Sequence, residues 1–193
     1  GKGEGGERMG NAAVNYAIKQ EKLKLLRRMF QNRKKDHPSF QEHSEANAYW
    51  LPDYARFKAI KENMEGKSWE EWPLELKERN PEALGRFEQD YANEIQFHKW
   101  LQWQLFVQFG KAKAYANRKN VLLMGDFPFL PSRDSADVWS HPEYFKLDLS
   151  AGAPPDAYFF KGQRWGMPPY QWEHMEEHSY DYFAQKLKYV ENF

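Results

Sequence analysis

The sequence contains no cysteine. Disulfides and thiolate metal sites are excluded, and a cytoplasmic address is permitted. It has no net charge either, since 28 Lys and Arg balance 28 Asp and Glu. That argues against a protein that neutralises many phosphates, so nucleic acid is not an expected partner, and against a strongly basic membrane-surface protein. No apolar run reaches the length of a membrane span and no signal peptide is visible, so no membrane partner is expected. Nucleophile elbows, phosphate-binding loops and dinucleotide glycine patterns are missing, and no cofactor is expected. An initiator Met is also missing. With a Gly-rich start and a charged, helix-like end at Glu191-Asn192-Phe193, this suggests a piece of a longer chain.

What is present is aromatic. Phe, Trp and Tyr make up 17% of the 193 residues, as 14 Phe, 8 Trp and 11 Tyr. The length allows one ordinary domain with a sizeable core. Rings build such cores, and they also stack on the apolar faces of sugars and bases. The surplus in an otherwise polar chain points toward a carbohydrate or nucleobase ligand.

Residues 1–13 read as a flexible Gly-rich segment. Over residues 14–32, Ile18, Leu25, Leu26, Met29 and Phe30 fall near one face at helical spacing, and Arg33-Lys34-Lys35 reads as its solvated basic end. Pro38 and then Trp50-Leu51-Pro52-Asp53 punctuate a loop and a new helix that stops near Gly66. Ser68-Trp69-Glu70-Glu71-Trp72-Pro73 predicts a capped turn with two half-exposed Trp anchors. Asn80 as cap and Pro81 at the first helical position open one long helix to about Asn117. Its part over residues 100–107 is apolar nearly all round, as in a helix packed between other elements. Residues 121–126 (Val-Leu-Leu-Met-Gly-Asp) are a short apolar run, the pattern of a fully buried parallel strand. A final helix is expected over about 173–192. One strand cannot close a sheet, so its neighbours are expected outside this sequence.

The segment from about Phe127 to Trp172 is long, irregular and rich in Trp, Tyr and Phe. Its position after a buried strand is where α/β proteins place ligand sites. Asp126, Asp156 and Gln163 can hydrogen-bond to sugar hydroxyls, and Tyr158, Trp165 and Tyr170 can supply stacking faces. Asp134 and Asp137 read instead as structural caps of the Asp-Ser-Ala-Asp turn.

Several of these motifs carry a family resemblance. Gly125-Asp126-Phe127-Pro128-Phe129, Asp134-Ser135-Ala136-Asp137-Val138-Trp139, Pro142-Glu143-Tyr144-Phe145, Gly152-Ala153-Pro154-Pro155-Asp156, Gly162-Gln163-Arg164-Trp165-Gly166 and Pro169-Tyr170-Gln171-Trp172 occur in order. Upstream stand Trp50-Leu51-Pro52-Asp53-Tyr54-Ala55-Arg56-Phe57, Trp69-Glu70-Glu71-Trp72-Pro73 and Ile95-Gln96-Phe97. Together they resemble the 4-alpha-glucanotransferases (amylomaltases, glycoside hydrolase family 77). The likeness runs from about Val14 to the end.

The resemblance implies an α/β fold: a helix-rich part of a (β/α)8 TIM barrel with an inserted helical subdomain and few strands. Residues 14–118 would be that subdomain with a barrel helix, and 119–193 a barrel strand, substrate-binding loops and the following helix. It implies transfer of α-1,4-glucan segments between maltooligosaccharides by a retaining double displacement. The family's nucleophile lies in an Arg-x-Asp-His-Phe motif that is absent here. No catalytic residue is therefore expected in this chain, and the rest of a parent chain would be its partner; the alternative is a non-catalytic carbohydrate-binding or scaffold piece. Asp126, Asp156, Tyr158, Gln163, Trp165 and Tyr170 are the expected substrate-binding residues. Two departures bear on acceptor preference: Ala157 stands at a common Tyr place with Tyr158 at the Phe place, and Met167 replaces a common Asn.

One other motif competes. His174-Met175-Glu176-Glu177-His178 fits H-x-x-E-H, the spacing of a zinc hydrolase helix. A third ligand is required, and Glu191 near the end is the residue offered for it. The context Trp172-x-x-Met175 matches the glucanotransferase pattern instead, and no metal is expected.

Overall fold

In the residues described by the computed structural model, 17–33 and 37–191, helices predominate. The Gly-rich segment 1–13, Lys34, Lys35 and the last helix's expected end at Asn192 lie outside them. The chain divides into two compact units, Gly1–Asp36 and His37–Phe193. In the first, α1 spans Ala17–Gln31, as its 3.6-residue periodicity predicts.

The second unit opens on α2, Pro38–Ala46. Pro38 marks a helix here rather than a loop: proline at the first helical position needs no N–H donor, and the His37 ring accepts from Ser39 N at 3.2 Å. Then α3, Leu51–Asn63, runs through the middle of the unit. Leu51, Ala55 and Ala59 line one side and Phe57 and Ile60 the other, all buried, so neighbours cover the helix from both directions. It ends where expected. Gly66 takes φ 84° and its N–H reaches back to Lys61 O at 2.8 Å, the left-handed ending that glycine favours.

A 3-10 turn, Trp69–Glu71, and the short α4, Leu74–Lys77, follow. Ser68 caps the turn as predicted, accepting from Glu70 N. The two Trp anchors are fully buried, however, not half-exposed. Each indole N–H finds a carbonyl, Trp69 on Arg133 O at 2.9 Å and Trp72 on Lys67 O at 3.2 Å, which removes the cost of burying it.

Asn80 caps α5, Pro81–Asp90, with its side-chain oxygen accepting from Glu82 N and Ala83 N at 3.0 and 3.1 Å. The expected single helix is broken at Tyr91, which leaves helical geometry (φ −119°, ψ 29°), stacks on Phe87 at 4.4 Å and accepts from Asn63. After that kink α6 spans Ala92–Arg118 and packs along α3. Its first half buries Ile95, Phe97 and Trp100, whereas Leu105 and Phe109 are exposed, so the apolar stretch is not enclosed.

The predicted buried strand at 121–126 does not form. Leu122 is 89% exposed and Met124 98%, and the segment is unpaired. A parallel strand exists only against neighbouring strands. Among the described residues the strands are β1, Gly152–Ala153, and β2, Gln163–Arg164, paired only with each other.

Next come α7, Ala136–Ser140, and a 3-10 turn, Pro142–Tyr144. Ser135, not Asp134 or Asp137, caps α7, accepting from Val138 N at 3.3 Å. The two aspartates tie elements together instead. Asp134 takes the Lys61 ammonium, and Asp137 lies 3.3 Å from Lys186 Nζ. The terminal helix is split into α8, Trp172–Glu177, and α9, Asp181–Glu191. Ser179 and Tyr180 both turn left-handed (φ 54° and 56°), while Tyr180 N reaches Met175 O at 2.8 Å.

Arg133 grips Glu70 with two hydrogen bonds, 2.9 and 2.8 Å. These hold the Glu70 carboxyl below the usual carboxylate range, with the guanidinium charge adding to the effect against a smaller opposing cost of burial. A depressed carboxyl stabilises fully above its ordinary pKa, and the contribution is lost as pH falls through the folded value. The pair is about one-third exposed, so it contributes about 1 kcal/mol or less. Urea midpoints of wild type and Glu70→Gln should differ at neutral pH and converge only below the ordinary glutamate range. A pH-independent gap would sink this assignment.

Candidate functional site

The stretch between α7 and α8 is built as a hairpin on an aromatic base. Gly152 pairs with Arg164 and Ala153 with Gln163, antiparallel. Beyond the ladder, Trp165 N donates to Ala151 O at 2.9 Å and Ala151 N to Met167 O at 2.7 Å, while Ser150 Oγ accepts from Gly166 N. Glycine is required at position 152, because a Cβ there would stand 2.1 Å from the Gln163 carbonyl oxygen. Gly152→Ala should loosen the hairpin by about 1–3 kcal/mol, read as roughly 10–100-fold faster exchange of the Ala151 and Trp165 amides. Unchanged exchange would refute the close approach.

At the tip, Asp156 organises the chain. Its Oδ1 accepts from Tyr158 N at 2.8 Å and Phe159 N at 2.7 Å, and Gly162 N closes the turn on Phe159 O. The tip is thereby fixed with its rings outward. Tyr158 is 88% exposed and Phe160 82%, with Phe159 and Trp165 also at the surface. A row of solvent-facing rings on a hydrogen-bonded hairpin adds nothing to a core and has the chemistry to stack on the apolar face of a ligand. Gln163 Oε1 accepts from Trp165 Nε1 at 3.1 Å, which orients the indole. What Gln163 can still offer a ligand is its amide N–H groups.

Tyr170 does not belong to that surface. It is 2% exposed, bridged to Phe145, and its hydroxyl donates to the Phe129 carbonyl. Phe183, Trp172, Phe129 and Phe145 surround it at 4.9 to 5.4 Å. Burial, with the Asp137 charge behind it, holds its phenol above the ordinary range. It anchors the hairpin's base and cannot stack on a ligand. Asp126 is exposed on the unpaired segment and makes none of the hydrogen bonds that shape the hairpin. The expected set therefore divides: Asp156, Tyr158, Gln163 and Trp165 share the hairpin, while Asp126 stands apart and Tyr170 is core.

Two clefts lie elsewhere. One of about 290 Å3 is lined by Trp50, Asp53, Tyr54, Phe127, Tyr182 and Tyr189, and one of about 710 Å3 by His43, Asn47, Trp103, Phe106, Lys188 and Tyr189. Sequence reasoning missed both, because their walls come from α2, α3, α6, α7, α9 and the segment at Phe127, far apart in the chain. The aromatic cluster Tyr49, Trp50 and Tyr54 was the one available signal.

The family model for 4-alpha-glucanotransferase, glycoside hydrolase family 77, matches residues 5–193. The chain belongs to that family. The 4-alpha-glucanotransferase of Thermus thermophilus is 38% identical over 181 residues, covering 90% of this chain and 36% of the relative. That of Clostridium butyricum is 35% identical over 184 residues, covering 91% and 38%. Among solved structures, the amylomaltase from Streptococcus agalactiae in complex with acarbose superposes with a TM-score of 0.85 at 30% identity, over 93% of this chain and 39% of that one. The chain thus spans little more than a third of the length of these glucanotransferases. The tight hairpin, the glycine at 152 and the outward rings are how a member of the family shapes this stretch.

Proposed function

We propose that this chain is the part of a 4-alpha-glucanotransferase that holds and orients an α-1,4-glucan, while the carboxylates that break and remake the glycosidic bond lie in the rest of the parent chain. The carrying observation is the hairpin: Tyr158 and Trp165 face solvent from a loop fixed by the Asp156 turn and the Gln163–Trp165 hydrogen bond. Maltooligosaccharides are the substrates of this reading, and the acarbose bound by the related amylomaltase supports it.

The architecture proposed is part of a (β/α)8 barrel. Residues 14–118 are the helical subdomain with a barrel helix, and 119–193 carry a barrel strand and the binding loops. The unpaired, exposed apolar run at 121–126 and the exposed rings of α6 support this, since a barrel would cover them with strands and helices from beyond this chain. In such a barrel a retaining transfer uses two carboxyl groups about 5–5.5 Å apart, one as nucleophile and one as acid/base. The hairpin's contribution is orientation. It stacks on the glucose rings of the acceptor and keeps an attacking sugar hydroxyl, rather than water, over the glycosyl intermediate.

The test is maltotriose with the parent protein. Glucose together with chains longer than maltotriose is expected, and Trp165→Ala should raise KM. Products limited to shorter sugars would overturn transfer, and an unchanged KM would overturn the hairpin's part in binding. The 193-residue polypeptide alone should release neither product.

A further inference from the structure

Three of the six histidines, His141, His174 and His178, gather around one ring, that of Tyr144, at 5.6, 5.5 and 6.1 Å. Two of them, with Glu177, meet at the C-terminal end of α8, where their ligand atoms all lie within 4.8 Å of one another. We infer that His174, Glu177 and His178 form a surface site for one divalent transition-metal ion of the zinc class, bound by two imidazole nitrogens and a carboxylate oxygen.

In a zinc hydrolase the Glu of this motif is the general base, which leaves two ligands; as a ligand itself, Glu177 supplies the third. On the helix, residues three and four positions apart share a face, so Glu177 joins the two histidines as a ligand. Its Oε2 lies 3.6 Å from His174 Nδ1. Tetrahedral zinc with bonds of about 2.0–2.2 Å holds its donors roughly 3.4 Å apart, so this edge of the site is already in place. The remaining distance closes by rotation of Glu177, which is exposed, and by a tilt of the His178 ring that keeps its Nδ1 hydrogen bond.

The tautomers also suit a metal. His178 Nδ1 lies 2.9 Å from the His174 carbonyl oxygen, which requires the proton on Nδ1 and leaves the Nε2 lone pair for the ion. A ligand histidine whose other nitrogen donates to a backbone carbonyl is the usual outer support of a metal site. Glu143 adds negative charge nearby. Its Oε1 lies 3.3 Å from His141 Nδ1.

The site binds and does not catalyse. A hydrolytic zinc needs a cleft for its substrate, and neither cleft described above is lined by His174, Glu177 or His178. Its ion would pin the last turn of α8 just before the left-handed Ser179–Tyr180 step into α9.

The experiment is titration of the untagged, EDTA-stripped protein with Zn2+ by calorimetry and with Co2+ by visible absorption. One equivalent of each is expected, in competition with each other and unaffected by millimolar Mg2+, which imidazole ligands do not suit. His174→Ala and His178→Ala should each weaken binding by more than the roughly 10–100-fold that loss of a ligand's own hydrogen-bond partner costs. Zn2+ should raise the wild-type melting temperature and not that of the double variant. The absence of saturable one-equivalent binding would overturn the site, as would equal binding by the double variant with its far-UV spectrum intact.

Discussion

Trp139→Ala should cost about 3–5 kcal/mol, a large part of the roughly 5–15 kcal/mol that stabilises a domain. The indole has no solvent exposure and sits at the centre of the core. It meets Trp72 edge-on at 5.5 Å and Phe57 at 5.9 Å, and the Arg79 guanidinium covers its face at 4.5 Å. Its Nε1 donates to Leu76 O at 3.0 Å, so truncation opens a cavity and leaves that carbonyl only the longer bond from Arg79 N at 3.3 Å. Trp139→Phe separates the two effects. It retains most of the packing and loses the hydrogen bond, so it should fall well short of the alanine cost. Urea unfolding of both variants decides it: a loss below about 1 kcal/mol for Trp139→Ala would show that the core does not depend on this ring.

Trp139 also shows what the sequence could convey. Local chemistry was legible, because caps and stops act over three or four residues. Ser68, Asn80, Pro81 and Gly66 begin or end elements where their side chains and backbone preferences require. Pro38 obeys the same rule, but a histidine rather than a serine or aspartate precedes it, and the start of α2 was hidden. Breaks at Tyr91 and Ser179–Tyr180 carry no glycine or proline to announce them.

Burial was the part that residues alone did not fix. Tyr158 and Tyr170 have the same ring in similar Pro-rich surroundings, yet one faces water and the other is sealed by Phe129, Phe145 and Phe183. The difference is set by partners distant in the chain, as it is for Trp69 and Trp72. The run at 121–126 fails in the opposite sense. Its composition suits a strand in the middle of a parallel sheet, and the sheet that would bury it is not among the described residues. The family was legible because the hairpin's motifs are ordered and specific, whereas the hairpin's internal wiring was not.

That wiring changes what Asp156 is expected to do, from contacting sugar hydroxyls to shaping the tip that presents Tyr158. Asp156→Ala removes the acceptor for Tyr158 N and Phe159 N. In the parent enzyme the rings would then lose their fixed position, and kcat/KM for maltotriose disproportionation should fall by roughly 100-fold, the scale of a misplaced substrate. Asp156→Asn keeps an oxygen that can accept both N–H groups, so it should recover most of the activity. A carboxylate that bound sugar through its charge would give a different pattern, with the asparagine variant nearly as impaired as the alanine one. Exchange of the Tyr158 and Phe159 amides tells the two apart without substrate: it should quicken in Asp156→Ala and stay slow in Asp156→Asn. If both variants lose activity while exchange stays slow in both, the carboxylate acts on the glucan directly and the turn is incidental.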